Sequence, residues 1–206
     1  MYQLRGSLLP EKPLPSITKH LLVICDYRAD KQAIASYIRD HLTYETKQVL
    51  TLGESMVSPT RLATFDTVLL WEPTQGISYW DIHRKAGYLD YIKQVCLSQK
   101  KWCIAVGEAG SIFLPRATQF LRGDIQKSKD LTTPHLAVFP HRAVFHYDIT
   151  KLEKPLIRQL LAYSNRFPSE SIWLFTDTLT YTSTTKTPSA PVSVIRHGTC
   201  YSYTSL

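Results

Sequence analysis

The chain has 206 residues, 44% of them apolar, which suits one α/β domain of about 120 residues with a smaller module behind it. Lysine and arginine outnumber aspartate and glutamate by 24 to 17, and the net charge of +7 leans towards an anionic partner such as nucleic acid. No apolar run approaches the ~20 residues of a membrane helix, no N-terminal pattern marks a signal peptide, and the four cysteines form no C-x-x-C pair, so the expectation is a reduced, cytoplasmic protein without membrane contact.

Residues 1–19 carry Pro10, Pro13 and Pro15 and no sustained period, and read as an N-terminal arm. Leu21 to Cys25 is a buried strand with Asp26 at its carboxyl end, and Asp30 is placed to cap a helix reaching about His41. Lys47 to Leu52 is a weaker strand. The run Val68-Leu69-Leu70-Trp71, closed by Glu72-Pro73, reads as a strand buried on both faces of a parallel sheet, because Pro73 cannot continue a ladder. A helix is expected over about Asp81 to Leu97, a strand over Trp102 to Val106, a turn at Gly107-Glu108-Ala109-Gly110, a helix over Ile112 to Leu121 and a poor strand near Asp124 to Lys127. Strands alternating with helices predict a parallel sheet covered on both faces.

From Thr132 the pattern changes. Leu136 to Phe139 and Ala143 to Phe145, around Pro140-His141-Arg142, predict a hairpin. Thr150 and Glu153 have capping-box spacing ahead of an amphipathic helix, and Ser169 is expected to cap a short helix to about Phe175. Residues 176–191 are dominated by Thr, Ser and Pro and read as a loop, and Val192 to Tyr203 turns tightly at His197-Gly198-Thr199 as a second hairpin. The expected divisions are the arm at 1–19, an α/β domain at 20–129 and a small α+β domain at 130–206.

The order and end residues of the first part resemble the receiver domain of response regulators, a CheY-like (flavodoxin-like) parallel sheet. In that resemblance Asp26 stands for the acid pair, Trp71 or Glu72 for the phosphoacceptor, Gly107 for the Thr or Ser after the fourth strand, and Lys127 for the conserved lysine. Tryptophan accepts no phosphate, so the resemblance implies a pseudo-receiver that works by dimerisation or protein contact. Ile149-Thr150-Lys151-Leu152-Glu153, the helix after it, and Gly198-Thr199-Cys200-Tyr201 resemble an OmpR-type winged helix. That resemblance implies DNA as a partner of low or unknown specificity, with Lys186, Arg196 and His197 as phosphate contacts, and a role in transcription regulation. No catalytic residue, cofactor or metal is implied.

A different reading starts from the turn at Gly107 to Gly110. Class I amidotransferase-like and PfpI-type enzymes place a cysteine nucleophile at such an elbow, where this chain has Glu108-Ala109-Gly110. Nucleoside phosphorylases and hydrolases carry Gly-x-Ala-Gly followed by Gly-Asp-Ile, matched here by Gly123-Asp124-Ile125. On this alternative the chain is a small α/β enzyme using Glu108 or Asp124.

Overall fold

Val68, Leu69 and Leu70 are fully buried, as their composition requires of a strand with both faces covered. They form β4 (Thr67–Leu70), paired in parallel with β2 (His20–Cys25) on one edge and β5 (Trp102–Val106) on the other. The computed structural model describes residues 1–7, 19–25, 29–41, 46–51, 63–72, 88–98, 100–114, 117–118, 130–131, 136–145 and 154–203. β3 (Thr46–Thr51) continues the sheet beside β2.

The fifth parallel position is filled from an unexpected place. β1 (Tyr2–Arg5) lies parallel to β5, pairing Tyr2 to Arg5 with Cys103 to Val106. Beyond it come β10 (Thr180–Thr182), antiparallel to β1, and β11 (Thr187–Pro188). The seven strands run β11-β10-β1-β5-β4-β2-β3. Residues 2–5, expected in an arm, are therefore an interior strand, and part of the Thr/Ser tract expected as a loop is a hairpin of the same sheet. The boundary expected near Lys129 lies outside the described residues; strands from both sides of it share this sheet.

Alternation divides the parallel strands cleanly. Leu21, Val23, Cys25, Leu69, Ile104 and Val106 face α1 (Lys31–His41) through Ile34 and Ile38. Asp30 caps that helix as predicted, its Oδ1 accepting from the N–H groups of Gln32 (2.9 Å) and Ala33 (3.0 Å). Leu22, Ile24, Val68, Leu70, Cys103 and Ala105 face the other way. There they meet α2 (Tyr88–Leu97) through Ile92 and Val95, and the 3₁₀ helix Gly107–Phe113 through Ala109, Ile112 and Phe113.

The same cluster takes in Ala143, Trp173 and Val192 of a second sheet, ordered β13-β12-β9-β8. Its strands are β8 (Arg142–Val144), β9 (Ile172–Leu174), β12 (Val192–Arg196) and β13 (Thr199–Tyr203). β8 and β9 are parallel, with α3 (Lys154–Arg166) between them in sequence, forming a strand-helix-strand unit. Leu160 and Tyr163 of α3 bury against Ile172, Leu174 and Ile195 on the outer face.

Several expectations are corrected here. Leu136 to Phe145 is not a hairpin, because residues 136–140 form no strand and β8 pairs with β9. The helix expected from Ser169 is β9, whose apolar run Ile172 to Phe175 is buried throughout. Ile112 and Phe113 close a 3₁₀ helix, while Ala117–Thr118 is β6, paired with Asp130–Leu131 as β7. The Thr150–Glu153 capping box and the strand near Asp124 lie outside the described residues.

The predicted hairpin is present, its turn one residue shorter than expected because Thr199 already pairs in β13. Register Arg196↔Thr199 leaves a two-residue loop in which His197 (φ 50°) and Gly198 (φ 67°) are both left-handed, the type I′ pattern. A Gly198→Ala variant is expected to lose about 1–2 kcal/mol in chemical denaturation, since its Cβ would adopt that φ and crowd the Asn165 side chain.

Candidate functional site

The parallel strands end together at one edge of the main sheet. Register Leu70↔Ala105 carries Trp71 to the neighbourhood of Val106 and the turn at Gly107. Trp71 is half-buried and is occupied in packing, meeting the Tyr37 ring edge-on at 5.6 Å beside Val106 and Ile38. Glu72 is also half-buried. Asp26 and Lys127 lie outside the described residues, so of the pocket implied by the receiver resemblance the structure brings together Trp71, Glu72 and Gly107.

That resemblance is overturned by topology. Receiver sheets run 2-1-3-4-5, and β3-β2-β4-β5 reproduces the first four positions. The fifth, however, is held by β1 and not by a strand following β5. With it falls the pseudo-receiver reading of this edge.

The turn after β5 starts at Gly107 (φ 53°) and enters the 3₁₀ helix at once. Ala109 is fully buried, and Gly110 packs so closely that a Cβ there would stand 3.1 Å from Leu4 Cδ2 and overlap the Phe145 ring. The Ser111 hydroxyl is buried without a hydrogen-bond partner among the described residues. The elbow is therefore sharp, but its four residues include no hydroxyl or thiol.

The winged helix and its DNA role are corrected as well. Residues 180–188, where a recognition helix should stand, are the β10–β11 hairpin of the main sheet. Lys186 (φ 55°) sits exposed in that turn, whereas Arg196 and His197 belong to the β12–β13 turn of the second sheet. The three residues lie on hairpins of two different sheets, with no helix between them to enter a groove.

Arg196 instead joins a site the sequence did not indicate. At one end of the second sheet, Pro140 to Arg142, Ser169 to Ser171 and Arg196 line an open cleft of about 420 Å³. It is built where parallel β8 and β9 begin and antiparallel β12 ends. The Arg142 N–H donates to the Ser171 carbonyl at 3.0 Å, tying the two entering segments together. Arg142 is buried and forms a two-pronged ion pair with Glu170, through Nε to Oε2 and through Nη2 to Oε1 (3.3 Å). The Tyr163 hydroxyl donates to Glu170 Oε2 at 3.1 Å, and the guanidinium lies 5.1 Å from the Tyr163 ring centre.

His141 stands beside this ion pair. Its ring stacks on Trp173 at 5.1 Å and 11° and meets Phe139 edge-on at 5.3 Å. Nδ1 lies 2.7 Å from Ser171 Oγ. Burial, and then the neighbouring Arg196 charge, hold the imidazole pKa below its ordinary 6.5, so the ring is neutral at pH 7. A depressed histidine pKa adds stability that is complete above about pH 6.5 and is lost as pH falls through the folded value. Chemical denaturation is therefore expected to show stability falling below pH 6.5, with a shallower fall in a His141→Gln variant.

Among the described residues no group of three or more His, Cys, Asp and Glu side chains is placed to hold a metal, and no helix is long and apolar enough to cross a membrane.

No protein-family model and no curated protein matches the chain. Among solved structures it is similar to a protein from Listeria monocytogenes EGD-e provisionally described as peptidase E. That match has 13% identity and a TM-score of 0.61 and covers 100% of this chain and 98% of that one. A peptidase from an acI-B1 Actinobacterium is also similar, at 13% identity and a TM-score of 0.53, covering 99% and 93%. At this identity the likeness is one of fold, and it extends over the whole chain. It is a mixed α/β fold with a sheet rich in parallel strands, in place of a receiver followed by a winged helix.

Proposed function

We propose that the chain is a small α/β hydrolase of peptide-type amide bonds, with its chemistry in the His141 cleft. The observation that carries this reading is a neutral, half-buried imidazole, fixed by two aromatic rings, in an open cleft beside guanidinium and hydroxyl groups. Two structures of the same fold are described as peptidases, which supports an amide substrate.

Chemically, a neutral imidazole accepts a proton near neutral pH and returns it to a leaving amine. Cleft and fold together favour hydrolysis over the nucleoside and amidotransferase variants of the enzyme reading. The Gly107 to Gly110 elbow brings no nucleophile, and Gly123-Asp124-Ile125 lies outside the described residues.

The test is incubation with a mixture of short peptides, followed by mass spectrometry. Cleavage products are expected, with activity persisting below pH 6.5 before the imidazole charges and the rate falls. A mixture left intact across pH 5–9 contradicts the reading.

A further inference from the structure

We infer that Ser171 is a nucleophile activated by His141, and that hydrolysis in this cleft passes through an acyl ester on its Oγ. The inference rests on the hydrolase reading and goes beyond it by placing the nucleophile at the start of β9, in the second sheet and away from the elbow that follows β5.

The geometry is that of a hydroxyl poised on its base. A separation of 2.7 Å between Ser171 Oγ and His141 Nδ1 falls within the ~2.6–3.2 Å reach required of a nucleophile and base. With the imidazole neutral and Nδ1 accepting, the ring proton sits on Nε2 and the serine hydroxyl donates. Both side chains are only half-buried and open on the cleft, so a substrate carbonyl can approach Oγ.

The supports are unusually firm for a surface serine. Its own carbonyl is held by the Arg142 N–H, and its neighbour Glu170 is clamped by Arg142 and Tyr163. On the other side, Trp173 and Phe139 fix the plane of the imidazole. A structural Ser–His hydrogen bond needs neither the cleft nor the aromatic clamp.

The steps balance without a further reagent. His141 Nδ1 takes the Ser171 proton as Oγ bonds to the substrate carbonyl carbon, and the carbonyl electrons move onto its oxygen. Arg196, exposed and lining the cleft, supplies positive charge near that oxygen. Collapse breaks the C–N bond, and the imidazolium passes its proton to the leaving amine. Water then attacks the ester, giving its proton to Nδ1, and Ser171 leaves with that proton restored.

An alkyl fluorophosphonate tests the inference without knowledge of the substrate. Attack by Oγ forms an O–P bond, breaks P–F and releases fluoride and a proton. The full chain is expected to gain one phosphonyl group, mapped by peptide mass spectrometry to Ser171. Labelling is expected to vanish in Ser171→Ala and to slow at least 100-fold in His141→Gln, with unchanged circular dichroism in both. No label, or a label on another residue, overturns the inference. Peptide cleavage that survives Ser171→Ala overturns it while leaving the hydrolase reading intact. Labelled Ser171 with no peptide cleaved does the reverse.

Discussion

A Gly6→Ala variant is expected to lose about 3 kcal/mol of stability, lowering the melting temperature by roughly 10 °C for a chain of this size. Gly6 follows β1, and its N–H donates to the Leu179 carbonyl at 2.9 Å, just ahead of β10. An added Cβ would stand 2.7 Å from the Thr176 carbonyl carbon and 2.8 Å from Asp177 Cα, and would overlap the Thr176 oxygen. All of these are backbone atoms, so no side chain can swing aside. Relief requires moving the 176–179 turn away from β1, and with it the pairing of Leu4 with Tyr181. The damage thus falls on the seam that joins the parallel strands to the β10–β11 hairpin. Differential scanning calorimetry reads it directly; a melting temperature within 2 °C of the parent would mean that this seam is not close-packed.

Glu170→Ala is expected to cost about 3 kcal/mol in denaturant unfolding, because it takes a two-pronged carboxylate away from a buried guanidinium. The Arg142 side chain is only 5% exposed, and both Glu170 carboxylate oxygens accept from it. The Tyr163 hydroxyl loses its hydrogen bond to Glu170 Oε2 in the same step. Glu170→Gln keeps one acceptor oxygen and is expected to lose about half as much. The pair Arg39–Asp40, with side chains 71% and 51% exposed, sets the contrast: its removal is expected to change stability by less than about 0.5 kcal/mol.

The strands that could be read from the sequence are those buried on both faces. Leu21 to Cys25, Val68 to Leu70 and Trp102 to Val106 are continuous apolar runs, and burial on both sides leaves no other composition workable. The His197-Gly198 turn was legible because its two left-handed positions favour glycine and a polar residue. β1 was not legible. Tyr2-Gln3-Leu4-Arg5 mixes polar and apolar residues, and its pairing partners lie about a hundred positions away in β5. Gln3 and Arg5 are buried with a hydrogen bond between them, Arg5 Nε donating to Gln3 Oε1 at 2.7 Å, and Thr182 accepts from Gln3 Nε2 at 3.1 Å. β9 reads as a helix in the sequence because a short apolar run has no period of its own.

The site was hidden for the same reason that β1 was. Pro140-His141-Arg142 and Ser169-Glu170-Ser171 are short polar stretches, each placed before or at the start of an apolar strand, and neither is a motif. Their meaning comes from the parallel pairing of β8 with β9, which brings together residues 30 positions apart. The resemblance to a receiver followed by a winged helix drew on the order of elements, and order alone does not say which strand fills the fifth place. Of the residues expected to contact nucleic acid, Arg196 alone lines the cleft.

The most direct test of the account compares initial rates of peptide hydrolysis for the parent chain, His141→Gln and Glu108→Gln under the same conditions. If the His141 cleft does the chemistry, His141→Gln loses at least about 100-fold and Glu108→Gln stays within about 2-fold of the parent. The reverse result, with Glu108→Gln inactive and His141→Gln near the parent rate, would place the reaction at the elbow after β5 and contradict the account.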